Sequence, residues 1–355
     1  MGHAIAVMNA KGGVGKSTVV MALAETLSSF HKKSVLVIDS DSQTSMSVMV
    51  MHMSRWEELE KAKRTLVDYL AAVTLAGGQA DWRSFVAPRV SDVDEAETVY
   101  LIPSHMELSL FEREISERGQ QQQLALAVRA LLEDAKRYFD VIFVDCPPGI
   151  SILTETWLRE CDFYMPPTKA DYLSVRGLAI IERYRDLAPG RRFAQNLGVV
   201  INQKDGRIRS EEEWHQWLLS DPKNMCFRNA IPRRAYIQRA ADFDAGMRTY
   251  AAKYPGDAGE AVKALAEEVL TRLASMPVAE HPPEPEAEKV AMPAAAVAAE
   301  TPAAAESASV SPPPPALQSA ASALAAAVAA TAAAKATVAT AQPSSGQPPA
   351  ASAER

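Results

Sequence analysis

Asn9-Ala10-Lys11-Gly12-Gly13-Val14-Gly15-Lys16-Ser17-Thr18 lies between an apolar run at residues 4–8 and a helical pattern over 16–30. An apolar run of this length reads as a buried strand, so the glycines occupy a strand-to-helix turn. Gly12, Gly13 and Gly15 let the backbone adopt conformations closed to other residues, so that its N–H groups can converge on an anion. The helix that follows directs its positive end at the same point. Counted from Ala10, the two bracketing glycines and the Lys16-Ser17 pair have the spacing of a phosphate-binding loop. Lys16 is then expected to contact the β- and γ-phosphates of a nucleotide, with Gly12, Gly13, Val14, Gly15, Ser17 and Thr18 forming the cradle. The Ser17 hydroxyl is expected to bind Mg²⁺.

Outward from the loop, short apolar runs alternate with helical patterns. Strands are expected at 34–38, 99–102, 141–144, 163–165 and 197–202, with a last one at 226–231. Helices are expected at 54–72, 107–137, 151–160, 171–187, 211–219 and 257–274, the Gln120–Gln123 run lying on a solvated face or in a bend. This alternation predicts an α/β fold, a parallel sheet with helices on both faces. Ligands in such folds bind beyond the carboxyl ends of the strands. The glycine loop, Asp39 and Asp145 all stand at such ends, so one site can use all three.

From Pro277 onward the sequence is dominated by Ala, Pro, Ser and Glu and has no Phe, Trp or Tyr. Such a segment has little apolar surface with which to offset the entropy of ordering, and 277–355 is expected to be a disordered tail. Residues 1–276 are long enough for one well-buried domain. The net charge is −7, of which −4 falls in the tail and −3 in the body. A body this close to neutral needs a local basic patch to bind nucleic acid. Cys146, Cys161 and Cys226 form no CxxC pair and read as inert thiols, and the six His have no metal-ligand spacing. No apolar stretch approaches the roughly 20 residues needed to span a bilayer, and no secretory signal is visible.

Lys11 adds a second lysine at the start of the loop, and Lys11-Gly12-Gly13-Val14-Gly15-Lys16-Ser17 resembles the deviant Walker A motif of the ParA/Soj ATPases, in the ParA/MinD superfamily of P-loop proteins. Asp39-Ser40-Asp41-Ser42-Gln43 resembles that family's DxDxQ segment, with Ser42 where Pro is common. Residues 141–145 followed by Cys146-Pro147-Pro148-Gly149 resemble its Walker B strand. Further matches follow in order: Leu101-Ile102-Pro103-Ser104, Ala170-Asp171-Tyr172 with Gly177-Leu178, residues 198–202 with Asp205-Gly206-Arg207, Ile231-Pro232-Arg233, and Leu265–Val269.

The resemblance covers most of residues 1–275 and carries definite implications. ATP and Mg²⁺ would be the cofactors. Lys11 would reach across a homodimer to the partner's ATP, and Asp41 would orient the attacking water. Asp39 and Asp145 would lie in or near the Mg²⁺ shell, and Asn202 near the nucleotide base. The sequence lacks a helix-turn-helix ahead of the loop, a basic amphipathic helix at the end and a cysteine pair for an iron–sulfur cluster. These departures point to the Soj-like branch. Such proteins bind DNA without sequence preference as ATP dimers and are switched by a ParB-like or cargo-adaptor partner. They work in the bacterial cytoplasm on the nucleoid, without a membrane. Arg233, Arg234, Arg228 and Arg239 are the expected DNA contacts, with Lys204, Arg207 and Arg209 behind them. The cargo would be a partition complex or a protein cluster. Two other readings stand beside this one: an ATP-switched scaffold that uses no DNA, as in cellulose-synthesis accessory or septum-placement proteins, and a metabolic P-loop enzyme acting on a small molecule.

Overall fold

A computed structural model describes residues 2–187 and 191–277. The first half runs β1 (His3–Val7), α1 (Lys16–His31), β2 (Val35–Asp39), α2 (Ser45–Val50), α3 (Met53–Lys61), α4 (Leu66–Thr74), β3 (Ala87–Pro88), β4 (Val99–Ile102), α5 (Leu108–Arg118) and α6 (Gln121–Ala135). It continues through β5 (Val141–Asp145), α7 (Ile152–Glu160), β6 (Phe163–Met165), β7 (Pro167–Thr168), α8 (Tyr172–Asp186), β8 (Gln195–Asn196) and β9 (Val200–Ile201). The last helices are α9 (Arg209–Ser220), α10 (Ala235–Arg239), α11 (Tyr250–Lys253) and α12 (Asp257–Ser275). The expected tail lies outside the described residues from position 278 onward.

Successive residues of a strand point to opposite faces, and here they enter two separate cores. Ile5, Val7, Val35, Val37, Val141 and Phe143 pack with α1, α2 and α12. Ala4, Ala6, Leu36, Ile38, Ile142 and Val144 pack with α4, α5, α6 and α7. The seven-stranded sheet has the order β3-β4-β2-β5-β1-β6-β8. Its neighbours are parallel except at the edge, where β3 runs antiparallel to β4. Both faces are covered, which is why the strands read as continuous apolar runs. A two-stranded sheet, β7-β9, stands apart. Beside it a third core joins Leu178 of α8 to Leu218 of α9.

Four sequence expectations change. The helix expected over 54–72 is broken into α3 and α4: Lys63 takes a left-handed φ of 55°, and Thr65 with Asp68 forms the capping box that starts α4. The pattern over 107–137 is divided by Gly119, left-handed at φ 65°, which ends α5. The strand expected at 197–202 is shortened to β9, after a turn at Gly198, whose φ is 143°. A Cβ there would lie 2.4 Å from the Met225 carbonyl oxygen, so the chain can turn at this point only with glycine. No regular strand forms over 226–231: Phe227 and Ile231 N–H donate to the Val199 and Ile201 carbonyls, but the N–H groups of Arg228 and Asn229 between them donate to the Glu268 carboxylate of α12, which interrupts the ladder. Helix α2 was not anticipated.

Beneath α1 lies a charge cluster in which Glu25, Asp92, Lys253 and Tyr254 are buried and Arg248 is partly exposed. The Lys253 ammonium donates to Glu25 at 2.7 Å and to Asp92 at 2.6 Å. Tyr254 donates to the other Glu25 oxygen at 2.6 Å, and Arg248 reaches Asp92 at 2.7 Å. The cluster fastens α11 to the helix that begins at the glycine loop. Lys253→Met would leave two buried carboxylates with Arg248 alone to compensate them. The expected loss is about 3–5 kcal/mol, read as a lower urea midpoint at unchanged m-value; a midpoint within error of the parent would show the cluster to be dispensable.

Candidate functional site

The carboxyl ends of β1, β2 and β5 converge. Asp145 pairs in register with Val7 on one side and with Asp39 on the other. The loop therefore leaves β1 beside the buried Asp145, with Asp39 one strand further on; Asp39 is 0% and Asp145 1% exposed.

Gly13 and Gly15 carry the left-handed φ values, 74° and 84°, that the loop requires. Gly12 lies against Pro148, where a Cβ would meet the proline ring at 3.8 Å. Helix α1 begins at Lys16 with no side-chain cap and no acidic residue in its first turn, which leaves its leading N–H groups unspent. Val14 is fully buried and fixes the loop from below. Ser17 and Thr18 are half-buried in that first turn. Lys16 is 8% exposed, and its charge draws the Asp145 carboxyl downward.

Burial pushes both strand-end carboxyls well above the usual range. For Asp145 the nearby Asp39 charge adds to the effect, with Ser17 and Lys16 opposing it. For Asp39 the Ser47 hydroxyl and N–H oppose burial. The two aspartates differ in what they have left to offer. Asp39 accepts from Ser47 N–H at 2.8 Å, from Ser47 Oγ at 2.6 Å and from Asp41 N–H at 3.2 Å. Neither buried oxygen of Asp145 has a hydrogen bond of good geometry. A buried, unpaired carboxylate beside a lysine and a serine hydroxyl is suited to a cation, directly or through water. Among the described residues no group of three or more His, Cys, Asp or Glu side chains could hold a metal unaided. Mg²⁺ suits such a place, since it is commonly held by one or two carboxylates together with phosphate oxygens and water.

Asp41 is 8% exposed, and its Oδ1 accepts from Gln43 N–H at 2.9 Å. Its main-chain oxygen accepts from the Ser104 hydroxyl at 2.6 Å, while Ser104 N–H donates to Ser47 Oγ at 3.0 Å. Ser47 and Ser104 thus bind the two aspartates of the 39–43 segment into one unit. Sequence reading missed both. Ser104 stood in a motif it singled out, but nothing local marked its partner.

Two expected residues have other engagements. Asn202 spends its amide N–H on the Val14 carbonyl at 2.8 Å and its oxygen on Gln203 N–H at 2.9 Å, so it braces the loop from beneath. A Cβ on Gly15 would come within 2.2 Å of that amide. Lys11 turns back onto its own chain: its ammonium donates to Ser174 Oγ at 2.9 Å and lies 3.6 Å from Asp171 at the start of α8. Burial pushes Asp171 up, but the Ser174 N–H and hydroxyl together with Lys11 hold it below the usual range. Asn9, also missed, bridges Lys11 N–H to the Pro167 carbonyl. Its oxygen approaches Gly177 so closely that a Cβ there would sit 2.3 Å away.

The basic residues divide. Arg234 is paired with Asp257, Arg207 with Asp205, Lys204 with Glu212 and Arg209 with Glu213. Arg233 faces Glu211 at 3.5 Å. The exposed side chains of Arg228 and Arg239 have no hydrogen bond or ion pair among the described residues.

A family model described as an AAA domain matches residues 2–189, more than half of the chain. The chain belongs to the ParA/MinD-like P-loop ATPases. Its relatives in this family include the chromosome-partitioning ATPase Soj of Thermus thermophilus, 28% identical over 76% of this chain and 96% of that protein. Among solved structures, apo McdA from Cyanothece superposes with a TM-score of 0.60 at 21% identity, over 77% of this chain and 100% of that one. Cobyrinic acid a,c-diamide synthase from Mycobacterium smegmatis, bound to an ATP analogue and magnesium, gives 0.60 at 20% identity over 79% and 100%. These two likenesses concern the fold. As a ParA-type P-loop ATPase the chain is one of a nucleotide-hydrolysing family, and no helix among its described residues is long and apolar enough to cross a membrane.

Proposed function

We propose that the protein is an Mg-ATP-switched ParA-type ATPase, which dimerises on ATP, holds DNA without sequence preference and positions a cargo until a partner protein triggers hydrolysis. The observation that carries the reading is the unpaired Asp145 carboxylate, buried beneath a loop that presents Lys16, Ser17 and an unspent helix N-terminus. Lys16 and the loop N–H groups hold the phosphates, and Ser17 and Asp145 hold the cation. Magnesium, when bound, neutralises charge on the transferring phosphoryl group. Asp39 supplies neighbouring charge and orders the start of α2 through Ser47, and Asp41 orients the water. Catalysis of this kind is mostly positioning.

Dimerisation is supported by the cleft beside Lys11. It is lined by Ala10, Leu173, Arg176, Gly177 and Ile180 among others, and Leu173 and Ile180 are 65% and 51% exposed. An apolar surface next to a lysine held only by Ser174 and Asp171 is suited to a second copy, to which Lys11 would transfer.

The free guanidinium groups favour Arg228 and Arg239 as phosphate contacts, with Arg233 third. Arg239→Ala and Arg228→Ala are expected to weaken DNA retention and each to reduce the slope of log affinity against log salt by about one. Arg234→Ala, whose guanidinium is already spent on Asp257, is expected to change neither; an equal loss in all three would mean that the ion pair opens on DNA.

The coupled carboxyls give the nucleotide site a pH signature. In the metal-free protein the folded state keeps a proton that the unfolded chain would release. Stability therefore falls as pH rises above the ordinary carboxylate range toward neutrality. Mg-ATP binding is expected to release protons there, measured calorimetrically as a binding enthalpy that varies with the ionisation heat of the buffer. An enthalpy independent of buffer would mean that both carboxyls are already ionised.

The reading as a whole is tested with the full chain, Mg-ATP and nonspecific duplex DNA over a salt series. ATP-dependent, salt-sensitive retention supports it. ATP binding and dimerisation without retention at low salt would leave a scaffold on another surface, and ATP use dependent on a small-molecule substrate would leave a metabolic enzyme.

A further inference from the structure

Ser40, between the two aspartates of the 39–43 segment, is 1% exposed. Its N–H donates to the Asp145 carbonyl at 2.9 Å. Its hydroxyl accepts from the indole N–H of Trp157 at 2.7 Å. Trp157 lies on α7, is fully buried and is among the largest wholly buried side chains of the described residues. A buried indole N–H needs an acceptor, and this one finds it in the segment that carries Asp41 rather than in its own helix.

The position of α7 gives the bond its meaning. The helix follows Cys146-Pro147-Pro148-Gly149-Ile150, the stretch that leaves Asp145. Pro148 stands beside Gly12 of the phosphate loop, where a Cβ would meet it at 3.8 Å. The start of α7 is fixed by Ser151, whose hydroxyl accepts from Thr154 N–H at 3.2 Å, and by Glu112 of α5, which accepts from Leu153 N–H at 2.9 Å. The stretch from Asp145 past Pro148 into α7 thus runs beside the phosphate loop and ends, through Trp157, on Ser40, and Asp41 is the next residue. Ser104 fixes the main chain of Asp41 from the other side.

We propose that Trp157 is a positioning residue for hydrolysis: its indole N–H holds Ser40, and through Ser40 sets where the Asp41 carboxylate stands relative to the phosphate loop. The inference rests on the reading of Asp41 as the water-orienting group. Ground-state nucleotide binding needs the loop, Lys16 and the cation-site side chains, and the indole N–H is hydrogen-bonded to Ser40 and to none of these. Loss of this bond therefore falls on turnover and not on affinity.

The test is single-turnover hydrolysis of Mg-ATP by the full chain, with nucleotide affinity measured separately. Trp157→Phe keeps most of the buried ring and removes the donor. It is expected to lower the hydrolysis rate about tenfold, the factor corresponding to one ordinary hydrogen bond, with affinity changed less than about twofold. Ser40→Ala removes the acceptor and is expected to give a similar fall. The double variant is expected to be no slower than the slower single, because both changes break one contact. Ser40→Thr keeps a hydroxyl and is expected to retain the parental rate within about threefold. Additive losses, or affinity falling in step with rate, would overturn the inference in favour of general packing; so would parental rates in folded Ser40→Ala, which keeps the whole of Trp157. Asp41→Ala run in parallel separates the two levels. If Asp41→Ala hydrolyses normally, the reading of Asp41 has failed. If it is inactive while the Ser40 and Trp157 variants turn over normally, only the present inference has failed.

Discussion

Lys16→Ala is expected to abolish Mg-ATP binding in the working concentration range, a loss of about 100-fold or more. Lys16 is the buried cation of the loop, 8% exposed and set close to the Asp145 carboxylate. A lysine there contributes charge-assisted hydrogen bonds to phosphate, which are roughly twice as strong as neutral ones. Nothing beside it can take over. Lys11 is held by Ser174 and Asp171, and Asn202 is occupied with the Val14 carbonyl. The fold itself should survive. Without the lysine the buried Asp145 carboxyl loses a favourable neighbour and holds its proton more firmly, which removes the penalty of a buried charge. A fluorescent ATP analogue titrated against the variant at saturating Mg²⁺ measures the loss, with thermal melting as the control for folding. Affinity within about threefold of the parent in a folded variant would mean that the loop N–H groups alone carry the phosphate, and the proposed role of Lys16 would be withdrawn.

The phosphate loop could be read from sequence because everything it needs is local. Gly13 and Gly15 fall where left-handed φ values occur, and Lys16 and Ser17 open the helix immediately after them. Asp39 and Asp145 were legible for a related reason: each ends a run of buried apolar residues, and only a polar residue in such a place stands out. What could not be read was pairing between distant positions. Ser104 meets Asp41 across 63 positions and Trp157 meets Ser40 across 117, and no periodicity marks either. The division of the arginines follows the same physics. Arg209 with Glu213 is an i,i+4 helix pair that could have been read directly, whereas Arg234 with Asp257 depends on α12 returning to the start of α10. The shortening of the 197–202 strand after Gly198 goes with Met225 and Arg272 crowding that turn. Again the partners lie far along the chain.

Asp41→Ala is expected to bind Mg-ATP about as well as the parent and to hydrolyse it about 100-fold more slowly or worse, the range in which removal of a positioned base or water-orienting group falls. The carboxylate of Asp41 takes no part in holding the loop, since the hydrogen bond it makes is to Gln43 N–H within its own turn. The main chain at this residue is fixed independently, by Ser104 on the carbonyl and by Asp39 on the N–H. Alanine therefore removes the acceptor without releasing the segment, and ground-state binding should change by less than about threefold. The expected consequence is persistence. The variant should remain dimeric in ATP and stay on DNA after the parent has turned over and left, and a partner that accelerates the parent should not accelerate it. Hydrolysis followed together with DNA retention distinguishes the outcomes. Slow hydrolysis with prolonged retention assigns Asp41 to the chemical step and places release from DNA after it. Slow hydrolysis with parental release would mean that departure from DNA does not wait for phosphoryl transfer, and the proposal that hydrolysis switches the protein off DNA would then have to be abandoned even though the assignment of Asp41 stood.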